Sequence, residues 1–212
     1  MPQVYIAHGN YEYSNLFVNL GFQLCDEAGA ADLICFTGGA DVSPSFYGDV
    51  KHRTTHNDLW RDEQEKHLFE TGKEYKIPMV GICRGGQFLN VMNGGNMYQD
   101  VSGHTRSHYI KDKRTGEIVY VSSTHHQMMM PYNMDKESYS VLATTNNLLS
   151  YDYVGLTKGE KNLVRTNLEP EVVYFKEINA IAIQSHPEWQ RGHLFVDWLH
   201  EQMANLFKWS FK

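Results

Sequence analysis

Nowhere does this sequence run to the ~18 consecutive apolar residues that a membrane span requires, so no membrane partner is expected. A long basic run is missing as well. The 19 lysines and arginines are outnumbered by 25 acids and the net charge is −6, which makes nucleic acid and anionic membrane poor partners. Cysteine is scarce. Three residues, Cys25, Cys35 and Cys83, form an odd set without paired spacing. That excludes a disulfide framework and points to a reducing, cytoplasmic compartment. The opening MPQVYIAHGN has neither the basic n-region nor the apolar h-region of a secretory leader, so none is expected there. Repeats, low-complexity tracts and linkers are also absent. We expect one domain over residues 1–212, long enough to bury its own core.

What is present alternates short apolar runs with helical patterns, the mark of an α/β sheet. Val4 to Ala7, Asp32 to Thr37 and Pro78 to Ile82 read as strands. Val172 to Phe175 and Ala180 to Gln184 read as the final strands. Ser14 to Leu20 reads as a helix with Ser14 as N-cap, and Pro44 to Leu59, rich in turn residues, reads as a loop. Arg61 to Tyr75 reads as a helix whose Leu68 and Phe69 face the core, with Glu63, Glu65, Lys66 and Glu70 toward water. Phe88, Leu89 and Met92 have helical spacing, and Gly94-Gly95 ends that helix. Residues 96–150, with strand-like runs at Ile118 to Ser122 and Tyr139 to Ala143, read as antiparallel strands at the sheet edge. The last helix, from about Gly192, carries Phe195, Leu199, Met203 and Phe207 at steps of four, one apolar stripe for docking on the sheet.

The informative segment is Val80-Gly81-Ile82-Cys83-Arg84-Gly85-Gly86-Gln87. A cysteine between an apolar strand and a helix, with glycine two residues before and two after, is the pattern of a strained strand-to-helix elbow with Cys in place of Ser. Such a turn needs tiny neighbours. A helix N-terminus favours a thiolate, and the Arg84 N–H after the nucleophile can point into an oxyanion hole. The alternative, a buried structural cysteine, suits Cys25 and Cys35, which lack this setting.

A thiol nucleophile needs an imidazole and often a third group to orient it. Among eleven histidines, His186 stands out. It follows the strand AIAIQS and precedes Pro187 and Glu188. Extended geometry before proline puts the His186 and Glu188 side chains on the same side, so that Glu188 can accept the second ring N–H. The carboxyl end of a strand is where open α/β sheets build their sites.

These blocks resemble the class I glutamine amidotransferase-like family, in its γ-glutamyl-γ-aminobutyrate hydrolase branch, over nearly the whole chain. The resemblance rests on Thr37-Gly38-Gly39-Ala40-Asp41-Val42-x-Pro44 with Tyr47-Gly48, then Gly81 to Val91 with Gly94-Gly95 and Tyr98-Gln99-Asp100-Val101, then Ser123-x-His125-His126-Gln127, then Gln184 to Trp189. Arg61-Asp62 with Glu65 is similar to an Arg-Asp pair of that branch. The resemblance implies a three-layer α/β/α fold with a central, mostly parallel, flavodoxin-like sheet and a small antiparallel edge. It implies a Cys83-His186-Glu188 triad, an oxyanion hole from the N–H groups of Gly39 and Arg84, and Gln87 on the glutamyl group. Ser123, His125 and His126 would line the substrate cleft; the family carries Asn where this chain has Ser122. The implied activity is hydrolysis of a γ-glutamyl amide through a thioester, without metal or organic cofactor. Two other readings stay open: a glutaminase subunit delivering ammonia to a separate synthetase or ligase, and an inactive binding protein on the same fold.

Other residues invite chemistry. His52 and His56, like His104 and His108, are four apart, a zinc spacing on helices, yet neither pair lies on a convincing helix and no third ligand is evident. Of His125 and His126, strand alternation would admit one to the cleft. Met128 to Met130 reads as edge packing. The aromatic tail Leu206 to Phe211 reads as docking on the domain, with a homo-oligomer contact as the sharper alternative.

Overall fold

The computed structural model describes residues 1–155, 168–190 and 194–209. Its strands in chain order are β1 (Gln3–Ala7), β2 (Gln23–Leu24), β3 (Leu33–Phe36), β4 (Met79–Ile82), β5 (Asn96–Tyr98), β6 (Asp100–Val101), β7 (His108–Asp112), β8 (Ile118–Val121), β9 (Met128–Met130), β10 (Tyr139–Thr145), β11 (Tyr153–Val154), β12 (Pro170–Phe175) and β13 (Ala180–Ile183). The helices are α1 (Tyr11–Asn19), α2 (Leu59–Glu74), α3 (Arg84–Met92) and α4 (Leu194–Phe207). Nine strands form one sheet in the order β2-β1-β3-β4-β13-β12-β10-β7-β8. The first five run parallel. The remaining four continue antiparallel, which is wider than the small edge expected from sequence.

Strand alternation sorts the core into two layers. Leu33, Cys35, Val80, Ile82, Ile181 and Ile183 pack with α1 and α4 on one face. Ile34, Phe36, Met79, Ala180 and Ala182 pack with α2 and α3 on the other. Central parallel strands are buried on both faces and so read as continuous apolar runs, as LICF and AIAI do. The α/β three-layer architecture is therefore as expected. The stripe of α4, with Phe195, Leu199, Met203 and Phe207, is buried against the sheet; the expected start near Gly192 lies outside the described residues.

Two local expectations are corrected. Helix α1 begins earlier, capped by Asn10, whose side chain accepts the N–H groups of Glu12 at 2.9 Å and Tyr13 at 3.3 Å. Ser14 is inside the first turn, where its hydroxyl donates to the Asn10 carbonyl. Glu65 does not face water. At 1% exposure it lies under α3 as a partner of Arg84. Met128 to Met130 form β9, buried beside β5 in a separate two-stranded sheet. No helix among the described residues is long and apolar enough to cross a membrane.

Candidate active site

The parallel strands deliver the site. Cys83 follows β4, the Thr37-Gly38-Gly39 segment follows β3, and His186 lies just past β13, all at the carboxyl ends of adjacent strands. Cys83 holds φ 53°, ψ −112°, a conformation that costs energy for any side-chain-bearing residue. Its surroundings enforce it. Cys83 N–H donates to the Ile183 carbonyl at 2.7 Å, and its own carbonyl accepts Gln87 N–H at 3.1 Å as α3 begins. A Cβ on Gly81 would fall on the Gly85 backbone, and one on Gly85 on the Phe36 carbonyl. These glycines let helix, strand and neighbouring strand close around the sulfur.

His186 and Glu188 turn to the same side across Pro187, with Nδ1 and Oε1 2.6 Å apart. The other ring nitrogen faces the Thr124 hydroxyl at 3.3 Å. Burial pulls the His186 pKa down, but hydrogen bonds to Cys83 and Glu188 and the charges of both groups outweigh it and hold the imidazole up at about 10. Trp189 stacks on the His186 ring, 3.8 Å between centroids at 8°. Tyr13 lies beside Glu188 and accepts the Gly38 N–H at 3.0 Å; burial, then the Glu188 charge, pushes its hydroxyl well above the usual range. Thr124, Trp189 and Tyr13 were not among the residues picked from sequence. Trp189 was within the His186 block, but Tyr13 carries no sequence signal toward a site over 170 positions away.

Arg61 shapes the Gly38-Gly39 segment. Its guanidinium donates to the carbonyls of Thr37 and Gly38, both at 3.0 Å, and to Glu65 at 2.8 Å. A Cβ on Gly39 would collide with it. The Arg84 side chain turns inward to Asp62 and Glu65, both buried, and Arg84 is also among the residues that line the cleft. As first residue of α3, the Arg84 N–H has no intrahelical acceptor.

A cleft of about 290 Å³ joins these parts, lined by Gly39, Asp41, Cys83, Arg84, Gln87 and His186 among others. At 9% exposure, Cys83 touches it without being open to bulk water. Gln87 lines it while donating from Nε2 to the Gln127 carbonyl at 2.9 Å. Ser123 is not among the lining residues. Its hydroxyl is buried and donates to the His104 carbonyl at 2.6 Å, and Thr124 takes the place at the cleft wall. His125 and His126 both line the cleft, against the alternation argument, because residues 122–127 are not a strand and have no period of two. The His126 ring pairs with Asp41 at 3.3 Å and Asp100 at 3.5 Å, and the bond to Asp41 raises it despite burial. The His125 ring turns inward.

His56 lines the cleft, and His52 is bound to Thr54, so that pair does not converge on an ion. Among the described residues, the group able to hold a metal lies behind the cleft, where His104 and His125 meet Glu171. The missing third ligand for His104 was thus invisible at short spacing, being 67 positions downstream.

Known proteins resemble this chain in sequence and in fold. A family model described as Peptidase C26 matches residues 24–188. The glutamine amidotransferase-like protein YvdE of Lactococcus lactis is 35% identical over 187 residues, 82% of this chain and 73% of that one. Protein NtpR of Enterococcus hirae is 27% identical over 164 residues, and the chain spans only 66% of its length. Among solved structures, a GMP synthase component from Thermoplasma acidophilum superposes with TM-score 0.61 at 13% identity, covering 98% of this chain and 94% of that one. A glutamine amidotransferase from Thermotoga maritima gives TM-score 0.58 at 13% identity, covering 97% and 92%. At such identity these two speak for the fold alone. With a model spanning most of its length and a relative above 30% identity, the chain belongs to the Peptidase C26 family, on the class I glutamine amidotransferase-like fold.

Proposed function

We propose that this chain is a cysteine hydrolase that cleaves a γ-glutamyl amide with Cys83 as nucleophile, His186 as proton carrier and Glu188 as the group that orients it. The observation that carries the reading is the His186 ring, hydrogen-bonded to Glu188 at 2.6 Å and lining the same cleft as Cys83, which sits at a nucleophile elbow. Cys83 Sγ, its proton held on His186, attacks the δ-carbonyl. The oxyanion forms against the N–H groups of Gly39 and Arg84; loss of one such donor costs about 10²–10³ in rate. His186 gives its proton to the leaving amine as the C–N bond breaks, and a glutamyl thioester remains on Cys83. Water, deprotonated by His186, then opens the thioester to release glutamate and regenerate the thiol. Every step is supplied by this chain's own residues and water. Gln87 and His126 are proposed to hold the glutamyl end. We further propose one catalytic domain over residues 1–212 working in a reducing, cytoplasmic compartment, in keeping with free Cys25, Cys35 and Cys83.

Glutamate release is to be measured over glutamine, γ-glutamyl-aminobutyrate, γ-glutamyl polyamines and γ-glutamyl peptides. Turnover on at least one is expected, abolished in Cys83→Ala with the circular dichroism spectrum unchanged. A glutamine-like diazoketone is expected to label Cys83 by mass spectrometry. Labelling elsewhere, or full activity in Cys83→Ala, refutes the assignment.

One observation favours a second reading. The carbamoyl phosphate synthase small chain of Staphylococcus epidermidis is 28% identical over 134 residues, 63% of this chain and 31% of that one. A glutaminase subunit supplying ammonia to a synthetase would act on free glutamine slowly alone and sharply faster with its partner. Partner-independent turnover of a larger γ-glutamyl amide decides for the hydrolase.

A further inference from the structure

Behind the cleft wall, three histidines and two glutamates converge in the interior. His104, Glu169 and Glu171 are fully buried, and His125 and His108 are 4% and 8% exposed. They arrive from separate parts of the chain: the segment between β6 and β7, the start of β7, the segment between β8 and β9, and the start of β12. Their spacing is close. His104 Nδ1 is 3.4 Å from Glu171 Oε1, His125 Nε2 is 3.9 Å from the same oxygen, and His104 Nε2 is 3.3 Å from Glu169 Oε1. One ligating atom from each of His104, His125 and Glu171 lies within 4.8 Å of the others. A tetrahedral zinc ion with bonds of ~2.0–2.1 Å sets its ligand atoms about 3.3 Å apart.

Proximity alone would fit a hydrogen-bonded network. The bonding does not. Both ring nitrogens of His104, His125 Nε2 and Glu171 Oε2 are buried and lack a hydrogen bond of acceptable geometry. The His104 nitrogens stand at ion-pair distance from Glu169 and Glu171, but His125 Nε2 and Glu171 Oε2 do not share that relief. Buried polar atoms are nearly always satisfied, and two such failures side by side ask for an absent partner. The tautomer of His125 sharpens this. Its Nδ1 sits 2.8 Å from the Gln127 carbonyl, which can only accept, so the ring proton is on Nδ1. Nε2 then presents a lone pair to a carboxylate oxygen, an arrangement that needs a cation between them. An Nδ1–H bonded to a backbone carbonyl is also the usual outer support of a metal-bound imidazole. His108 supports the carboxylate: its Nε2 is 2.9 Å from Glu171 Oε1, and its Nδ1 is 3.0 Å from the Arg106 carbonyl.

We propose that His104, His125 and Glu171 form a binding site for a divalent transition metal of the zinc class, with His108 and Glu169 orienting them. The imidazole and carboxylate donor set suits zinc or cobalt rather than calcium or magnesium. The ion would tie the His125 to Gln127 segment, a wall of the cleft, to β12. It takes no part in the hydrolysis above and does not depend on that reading.

The test uses the full, untagged chain, stripped with a chelator, reloaded with Zn²⁺ or Co²⁺ and desalted. One metal per chain is expected by mass spectrometry, and the cobalt form is expected to give visible bands of low coordination number without thiolate charge transfer. Glu171→Gln and His125→Asn are expected to weaken retention by about tenfold or more. Cys83→Ala and His67→Gln, the latter at an exposed position of α2, are expected to retain it. If the ligand variants do not fold, X-ray absorption of the zinc-loaded native chain decides: nitrogen and oxygen neighbours with imidazole scattering are expected. No retained metal, retention unchanged in both ligand variants, or a sulfur neighbour, which would put the ion on Cys83, overturns the proposal.

Discussion

A single imidazole sets the pH behaviour. His186 is raised from its ordinary value of 6.5 to about 10 because the gains from Cys83 and Glu188 exceed the cost of burial. Under the proposed mechanism the leaving amine would meet a protonated ring throughout the neutral range. The alkaline limb of kcat/KM is expected well above 7, near 10, where the His186 imidazole gives up its proton. Glu188→Gln removes one of the groups that raise the ring, so the limb is expected to move toward lower pH. Its kcat is expected to fall by on the order of 10²–10⁴, as when the orienting acid of a triad is neutralised. An unmoved limb in that variant would mean Glu188 does not face the working imidazole. The stability sign follows the same shift. A folded-state pKa above the unfolded one stabilises fully below about 6.5, and that contribution is lost as pH climbs toward about 10. Thermal unfolding of wild type and His186→Gln is expected to converge on the alkaline side.

Between elements, the seam of α2 and α3 is held by charge as much as by packing. Arg84 reaches from the start of α3 to Asp62 and Glu65 on α2, all three at 2% exposure or less, while Arg61 bridges Glu65 to the Thr37-Gly38 carbonyls. Arg84→Met leaves Asp62 buried without its cation and Glu65 with Arg61 alone, and is expected to cost about 3–5 kcal/mol in chemical denaturation. The triple change that adds Asp62→Leu and Glu65→Met is expected to recover part of it, since apolar replacements of matched volume can substitute for a buried ion-pair triad. This seam also marks where the sequence stops being legible. The strands LICF, MVGI and AIAI were readable because burial on both faces leaves only apolar residues. The elbow was readable because its glycines are imposed by backbone contact within a few positions. Glu65 was placed toward water because a carboxylate on a helix usually is, and only the distant Arg84 reverses that. Ser123 was placed in the cleft and Thr124 was not, because the irregular segment 122–127 follows no period. The convergence of His104, His125 and Glu171 needed the β10–β12 pairing, which no local pattern encodes.

Across the full span of the fold, the last helix closes back onto the first. The chain leaves α4 through Lys208 at φ 58°, which turns Trp209 back so that its N–H donates to the Ala204 carbonyl at 3.1 Å. Its indole then packs edge-on against Phe22, just after α1, at 5.4 Å, and against Phe207 at 4.9 Å. Trp209 thus docks the last helix onto the segment that leads into the edge strand β2; Ser210 and Phe211 of the expected tail lie outside the described residues. A half-buried indole in two aromatic pairs contributes about 2 kcal/mol by area and ring contact. Trp209→Ala is expected to lower stability by that amount in urea denaturation, with the elution volume on size exclusion unchanged across a concentration series. Because Phe22 contacts the same indole, Phe22→Leu combined with Trp209→Ala is expected to cost less than the sum of the single changes. If Trp209→Ala instead left stability intact but shifted a concentration-dependent dimer toward monomer, the tail would be a contact between copies rather than a clasp within one.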